Sequence, residues 1–517
     1  MNRQSTLNAL VFRSIVIEII NRKIHLMTHM RHLTWIAAVL LTMMASFSSC
    51  IEDGFTTLSS DVLAFNKDTV AFDTVITKLG TSTKQMVVYN RSKKQVNISS
   101  IKVAGVAEKG HFHLNVDGIR GDEFHDVEIR GNDSIYIFIE AYLDEMEKNE
   151  PTLLEDSLLF VTNGVRQRVV LSAWGQDVVR INGDTISRNT RFTSEKPYLI
   201  YDTMYVDSTV TLTLDAGTTF LFHDKAAIRC AGKMLANGTA EEPIIWRGDR
   251  LDHVVGEIGF DVMSGQWGGV IFTPPTKGNV LKHVVMKGSS IGMHCSSKYQ
   301  NDTVECALKL VNCVLTNSAS TCLAIQGCYV QAIGTEFSDA AEEVAYLLGG
   351  KVMMNQCTFA NYYLFKAPTL PIVQVFNVDY GNGYVDNIRA YFDNCILYGI
   401  SSEMSAALLI APDSIPENLV LKLDGFNVFM RYCLFKSPGP DDDHFINCFW
   451  EADPCFLTVR EDHYFDYRLG NESDAKGKGN RDLCPEEARY DRYGNDRFAN
   501  GAPDLGAYVW IPVPEEE

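Results

Sequence analysis

Five short segments of this 517-residue chain repeat one pattern: Asn312-Cys313-Val314-Leu315, Gly334-Thr335-Glu336-Phe337, Gln356-Cys357-Thr358-Phe359, Asn394-Cys395-Ile396-Leu397 and Tyr432-Cys433-Leu434-Phe435. Each has a small residue, one of any kind, then a large apolar one, and Val284-Val285-Met286 fits ahead of them. The small positions 284, 313, 335, 357, 395 and 433 are spaced by 29, 22, 22, 38 and 38 residues. Such periods belong to solenoids, in which each repeat buries its apolar face only against its neighbours. Residues two apart on a strand face the same way, so Cys395 and Leu397 point together and Ile396 points opposite. Stacking the repeats makes one inward ladder of small residues and another of large ones. A coil of about 20 to 30 residues accommodates three short strands and their turns, so the two 38-residue steps predict loop insertions of about fifteen residues.

The region ahead of these repeats carries the same grammar. Tyr198-Leu199-Ile200, Thr209 to Leu214, Asp215-Ala216-Gly217-Thr218, Gly232 to Thr239, Pro243 to Trp246 and Trp267 to Phe272 are short strand-like pieces separated by tight turns. This series resembles the opening coils of right-handed parallel β-helix proteins of pectin-lyase-like architecture. The far end adds Asp453-Pro454-Cys455-Phe456, Asp466-Tyr467-Arg468-Leu469, Ser473 to Gly479, Asp491 to Arg497 and Pro503-Asp504-Leu505-Gly506-Ala507-Tyr508. In that order they resemble the closing segment of secreted β-helix repeat proteins, with Ser473-Asp474-Ala475 in place of Ser-Pro-Ala and Val509 in place of a final Glu. An open solenoid end exposes strand edges and apolar interior, so the segment is expected to be a cap.

From Ala64 to Val179 the pattern changes to longer alternating strands: Thr83 to Asn90, Val96 to Val103, Phe112 to Val116, Asp133 to Ala141, Asp156 to Thr162 and Gln167 to Trp174. Runs such as Ser134-Ile135-Tyr136-Ile137-Phe138-Ile139 are rich in β-branched and aromatic residues and end at turn formers. Six or seven strands in about 115 residues predict a sandwich of two packed sheets. Val87-Val88-Tyr89-Asn90, Arg130-Gly131-Asn132-Asp133, Leu159 to Asn163 and Val169 to Gly175 resemble the Ig-like modules related to hydin and ASH domains, which implies a spacer or adhesive unit without catalytic residues. The fold class expected is therefore all-β: an N-terminal Ig-like sandwich over 64–180, a linker over 181–196, a right-handed parallel β-helix over 197–452 and a capping segment over 453–517.

The first residues are of a third kind. Arg22, Lys23 and Arg31 precede an apolar run from Leu33 to Phe47 and then Ser48-Ser49-Cys50. This has the shape of a signal peptide, and the run is shorter than the roughly 20 residues a spanning helix needs. Phe47-Ser48-Ser49-Cys50 resembles the lipobox of bacterial lipoproteins, which implies cleavage after residue 49, lipidation of Cys50 and a lipidated tether over 50–63. Met27 or Met30 gives a leader of ordinary length. Acyl chains contribute about 0.8 kcal/mol per buried methylene, so several hold a folded body at a membrane. The expected location is the cell envelope, anchored at the outer membrane, with the periplasmic or surface face left open.

The leader carries five basic and one acidic residue, so its removal takes the net charge from −19 to −23. A body that acidic repels phosphate backbones, which excludes nucleic acid as an expected partner. The cysteines of the body fall mainly in apolar strand-like runs, where a thiol behaves as a small hydrophobe. Cys295 and Cys306 flank a polar loop and are the plausible disulfide pair if one forms.

The chemistry-bearing residues are sparse. Asp441-Asp442-Asp443-His444 supplies hard oxygen ligands that suit calcium, with a charged turn tip as the alternative. Asp339, Glu342 and Glu343 could line a groove or belong to a solvated loop. His283 and His294 are base candidates or structural histidines, and Lys282, Lys309 and Lys351 are scattered. Tyr362, Tyr363, Tyr380, Tyr384, Tyr391 and Trp450 could stack on sugar rings or fill the core. No set of catalytic residues emerges, neither the paired carboxylates of a hydrolase nor the base and cation of a lyase. The expected function is a non-catalytic binding or structural role toward glycans or another envelope or host component; the alternative is a polysaccharide lyase or glycoside hydrolase with its site on one face of the helix.

Overall fold

The computed structural model describes residues 54–255, 258–296, 302–379, 384–407, 427–461 and 463–514. The leader, Cys50 and Tyr380 lie outside the described residues. No helix among those residues is long and apolar enough to cross a membrane.

Residues 63–176 form two sheets face to face. One holds strands 63–65, 84–90, 134–143, 110–116 and 119–121; the other holds 69–76, 165–176, 152–162, 96–103 and 123–124, with 127–129 also paired to 96–103. Pairing is antiparallel except between 69–76 and 165–176. The alternation read from the sequence is realised: Ile135, Ile137 and Ile139 enter a shared core with Met86, Val88, Phe160 and Leu171, while Tyr136 and Phe138 face out.

Three long parallel sheets follow, of ten, nine and ten strands. The chain visits them in rotation, one strand on each per coil, which is a parallel β-helix. Strands 284–287, 314–318, 336–340, 358–361, 396–399 and 434–435 stand successively on the first face. Their register sets Met286, Leu315, Phe337, Phe359, Leu397 and Phe435 one above another, all pointing inward and buried. Tyr198, Phe220 and Trp246 extend the same ladder toward the N-terminus. Phe337 and Phe359 stack at 5.1 Å. Cys313, Cys357, Cys395 and Cys433 form the small ladder beside it, wholly buried. The residue before each small position turns the corner with positive φ, between 48° and 58° at His283, Asn312, Gly334, Gln356, Asn394 and Tyr432. At Gly334 a side chain would meet Asn312 Oδ1 at 2.3 Å, so a larger residue there would have to displace the Asn312 amide.

Residues 181–196, expected to be a linker, build the first coil. Strands 179–182, 185–186 and 190–192 pair in parallel with 198–201, 203–206 and 211–214. Asn182-Gly183-Asp184, read as a break, is the corner between two of these strands, because a solenoid corner and a linker share the same turn residues. The sandwich docks on the coils that follow, at strands 198–201 and 219–222. Ile76 joins Leu199 and Leu221 in a small apolar cluster, and Asp177 accepts from Thr77 Oγ1 at 3.0 Å, Met146 N at 2.9 Å and Lys148 N at 3.1 Å. An insertion at 249–268 reaches back to the sandwich through His253 to Asp73 and Ser82 to Asp252, both at 2.7 Å.

The capping segment covers a flank of the solenoid as well as its end. Phe445, Cys448 and Trp450 close the last coil against the core, and residues 453–514 then fold back along the first face. The fold-back has a physical cause: Ile396 and Leu434 point outward there, opposite the inward ladder, and need cover. Leu469, Ala475 and Leu505 cover them.

The cysteines of the body are free. Cys295 and Cys306 are not joined, and the thiol nearest Cys295 is that of Cys328 at 3.4 Å. Burial pushes the Cys313 thiol up to about 11, as expected of a core residue.

Candidate functional site

The outward ladder of the first face runs Val285, Val314, Glu336, Thr358, Ile396 and Leu434. The C-terminal segment seals its far half. Asn394 Nδ2 donates to Asn480 O at 3.0 Å, Asn480 N donates to Asn394 Oδ1 at 2.7 Å, and Ala507 N donates to Thr358 Oγ1 at 2.9 Å. Buried Arg497 ties the segment to itself through Gly506 O at 3.0 Å and Ala507 O at 2.7 Å. Over Val285, Val314 and Glu336 the cover is incomplete and leaves a cavity of about 420 Å³.

Three elements wall this cavity. The helix face supplies Lys287, Thr316, Glu336 and Asp339; the 249–268 insertion supplies Asp261 and Val262; the C-terminal segment supplies His463 to Arg468, Arg492, Tyr493 and Tyr508. The insertion is held in place by Asn317, whose amide donates to Asp261 O at 3.1 Å and Val262 O at 2.8 Å. The hairpin 456–461/464–469 is held by Arg460, which donates to Tyr362 O at 2.7 Å and to Tyr363 O.

Two carboxyls of the cavity are buried. Glu336 accepts from Ser338 Oγ at 2.6 Å and from Tyr508 OH, yet burial outweighs these bonds and raises its pKa. Asp339 accepts from Tyr467 OH at 2.7 Å and Tyr362 N at 3.0 Å; burial, aided by the nearby Glu336 charge, still pushes it up to about 7. Two others are ion-paired. Burial alone would raise Asp261, but pairing with Lys287 and Arg247 wins and lowers it. Asp466 is gripped by Arg468 through Nε at 3.0 Å and Nη2 at 2.6 Å. The rim is aromatic: Tyr464 is 62% exposed and Tyr493 53%.

Of the residues singled out by sequence as carrying chemistry, only Asp339 lines this cavity. Glu342 and Glu343 turn to the neighbouring coil, accepting from Ser320 Oγ at 2.5 Å and Thr321 Oγ1 at 3.0 Å. His283 is a corner residue and His294 stands on the second face; burial lowers the pKa of both. Lys282 ends a third-face strand, Lys309 pairs with Glu487, and Lys351 lies over the Tyr329 ring at 4.5 Å. Tyr363 is buried and Tyr362 half-buried under the C-terminal segment, Tyr391 stacks on Phe429 at 5.3 Å, and Trp450 stacks on Phe435 at 4.5 Å. Tyr384 belongs to the short strand 384–385.

The calcium candidates are a turn tip. Asp442 Oδ1 accepts from His444 N at 2.8 Å and Phe445 N at 2.9 Å, and Asp441 Oδ1 accepts from Asn447 N at 3.1 Å. Asp443 is exposed beside them. Among the described residues no group of three or more His, Cys, Asp or Glu side chains is placed to hold a metal ion.

Sequence reasoning missed Glu336, Arg492, Tyr464 and Tyr493. One signal was available for Glu336: it is the charged residue in a column otherwise filled by Val, Thr, Ile and Leu. The others come from 460–508, whose return to this face no local pattern announces.

No family model matches the chain, and no curated protein matches it. Among solved structures, a family 123 glycoside hydrolase from Clostridium perfringens aligns over 26% of this chain and 30% of that one, at 9% identity and a TM-score of 0.17. A score that low carries nothing about fold or chemistry.

Proposed function

We propose that the protein is a lipid-anchored component of the cell envelope that binds glycans in the cavity between the first face of its β-helix and the returning C-terminal segment. The observation that carries this reading is the cavity itself. Its size suits a small ligand, and it pairs exposed aromatic rings, which stack on sugars, with fixed polar groups that can orient hydroxyls. Lipidation at Cys50 is proposed from the leader and the lipobox-like stretch. The sandwich is then a spacer that holds the helix away from the membrane.

One observation favours turnover as a second reading. Asp339 at about 7 is placed to be a proton donor at neutral pH, and Asp466, in a two-point pair with Arg468, lines the same cavity. A general acid together with a second carboxyl group is what glycoside hydrolysis uses. Against it, the bonds from Tyr467 and Tyr362 to Asp339 brace the segment that roofs the cavity. The full chain in detergent, screened on a glycan array and assayed in parallel for new reducing ends and unsaturated products, separates the two. Saturable binding without products supports the binding reading; product release overturns it in favour of an enzyme; no binding and no product overturns both. Mass spectrometry of the N-terminal peptide tests the anchor, with unmodified Cys50 refuting it.

A further inference from the structure

The cations of the cavity are not equally satisfied. Lys287 is paired with Asp261, and Arg468 makes a two-point pair with Asp466. Arg492 is half-buried beside them, with its guanidinium carbon 5.2 Å from the centre of the Tyr493 ring and its side chain bonded to Tyr508. It makes no ion pair within 4.0 Å among the described residues. The carboxyls nearby make their hydrogen bonds to other groups. Glu336 is held by Ser338 and Tyr508. Asp491, its neighbour in sequence, accepts from the backbone N–H groups of Tyr493, Asn495 and Val509.

Withdrawn from water, this guanidinium keeps its charge through Tyr508 and the nearby Glu336, without a carboxylate in direct contact. An anion entering from the cavity would supply that direct contact, and the planar fork of arginine matches a carboxylate at two points. Tyr464 on the same rim offers the ring of an adjoining sugar a face to stack on. The wider field sets a limit on the ligand. A body of net charge near −23 repels a densely charged polyanion before it docks, so the acidic groups must be widely spaced.

Resting on the glycan reading above, we infer that the cavity selects a saccharide carrying an isolated carboxylate, a uronate- or sialate-type unit in an otherwise neutral glycan, and that Arg492 is the residue that holds the carboxylate.

The test is calorimetric titration of the full chain in detergent with paired oligosaccharides, each bearing one uronate or sialate unit, and the same compounds as methyl esters. At least one acid is expected to bind tenfold or more tightly than its ester, with affinity falling as salt rises. Arg492→Gln should bring the acid down to the level of the ester, and the ester binding that remains in the variant reports an intact cavity. Arg492→Lys should recover part of the preference, since it keeps the charge and loses the fork. Equal binding of acid and ester, or a preference untouched by Arg492→Gln, overturns the inference and leaves the glycan reading standing. Failure of every sugar to bind overturns both.

Discussion

Asp339 offers the sharpest test of how the cavity is built. Its carboxyl is buried under the returning segment, and its pKa of about 7 stands well above the ordinary 3.8. At about 1.36 kcal/mol per unit, holding the ionised form in the fold costs about 4 kcal/mol. For an acid whose folded pKa is raised, stability is highest while both states are protonated and is lost as pH climbs from 3.8 toward 7. Asp339→Asn keeps an oxygen that can accept from Tyr467 OH and Tyr362 N but has no proton to lose. The variant should therefore gain on the wild type by about 2.3 kcal/mol between pH 5 and pH 7 and by only about 0.4 kcal/mol more above that, as the folded carboxyl finishes ionising. Thermal melts of both proteins from pH 5 to pH 8 read the trend, and hydrogen exchange at the Tyr362 amide reads it locally. A constant difference across that range would refute the reasoning, since it would mean the carboxyl is not desolvated. Asp339→Ala, which loses both hydrogen bonds, should be less stable than Asp339→Asn at every pH.

Phe359→Ala should cost about 3 to 5 kcal/mol in denaturant unfolding, because the ring is wholly buried between Phe337 and Phe392. Asn394→Ala removes both bonds to Asn480 and puts a residue with a poor left-handed propensity at φ 55°, so limited proteolysis should cut the C-terminal segment sooner than in the wild type. Asp177 is held low: burial acts to raise it, but hydrogen bonds from Met146, Lys148 and Thr77 prevail. Its contribution is then present above the ordinary carboxylate range and lost as pH falls below it, so Asp177→Ala should be less stable at pH 7 and converge with the wild type in acid melts. Alkylation under native conditions should spare Cys313, Cys357 and Cys395 and reach half-exposed Cys455 first, with the ladder thiols labelled only on unfolding.

The repeat of small and large residues determined the solenoid, because inward positions of stacked strands must match in size coil after coil, and that demand is written at a fixed spacing. The two 38-residue steps likewise marked the longer coils, and the period-two alternation of 134–143 marked a sandwich strand. The corner at 182–184 was visible as a turn but not as part of a coil, since Asn-Gly-Asp serves a solenoid corner and a linker alike. The cavity was decided by tertiary structure. Asp339 looked like a loop acid until Tyr467, 128 residues away, was folded over it, and burial of that kind leaves no local mark. Arg492 and Tyr464 reach the helix only because outward-facing Ile396 and Leu434 need cover and draw the C-terminal segment back along the flank. Periodicity is a local consequence of strand geometry and can be read in line. Which distant segment pays the desolvation cost of a given carboxyl depends on where the chain returns.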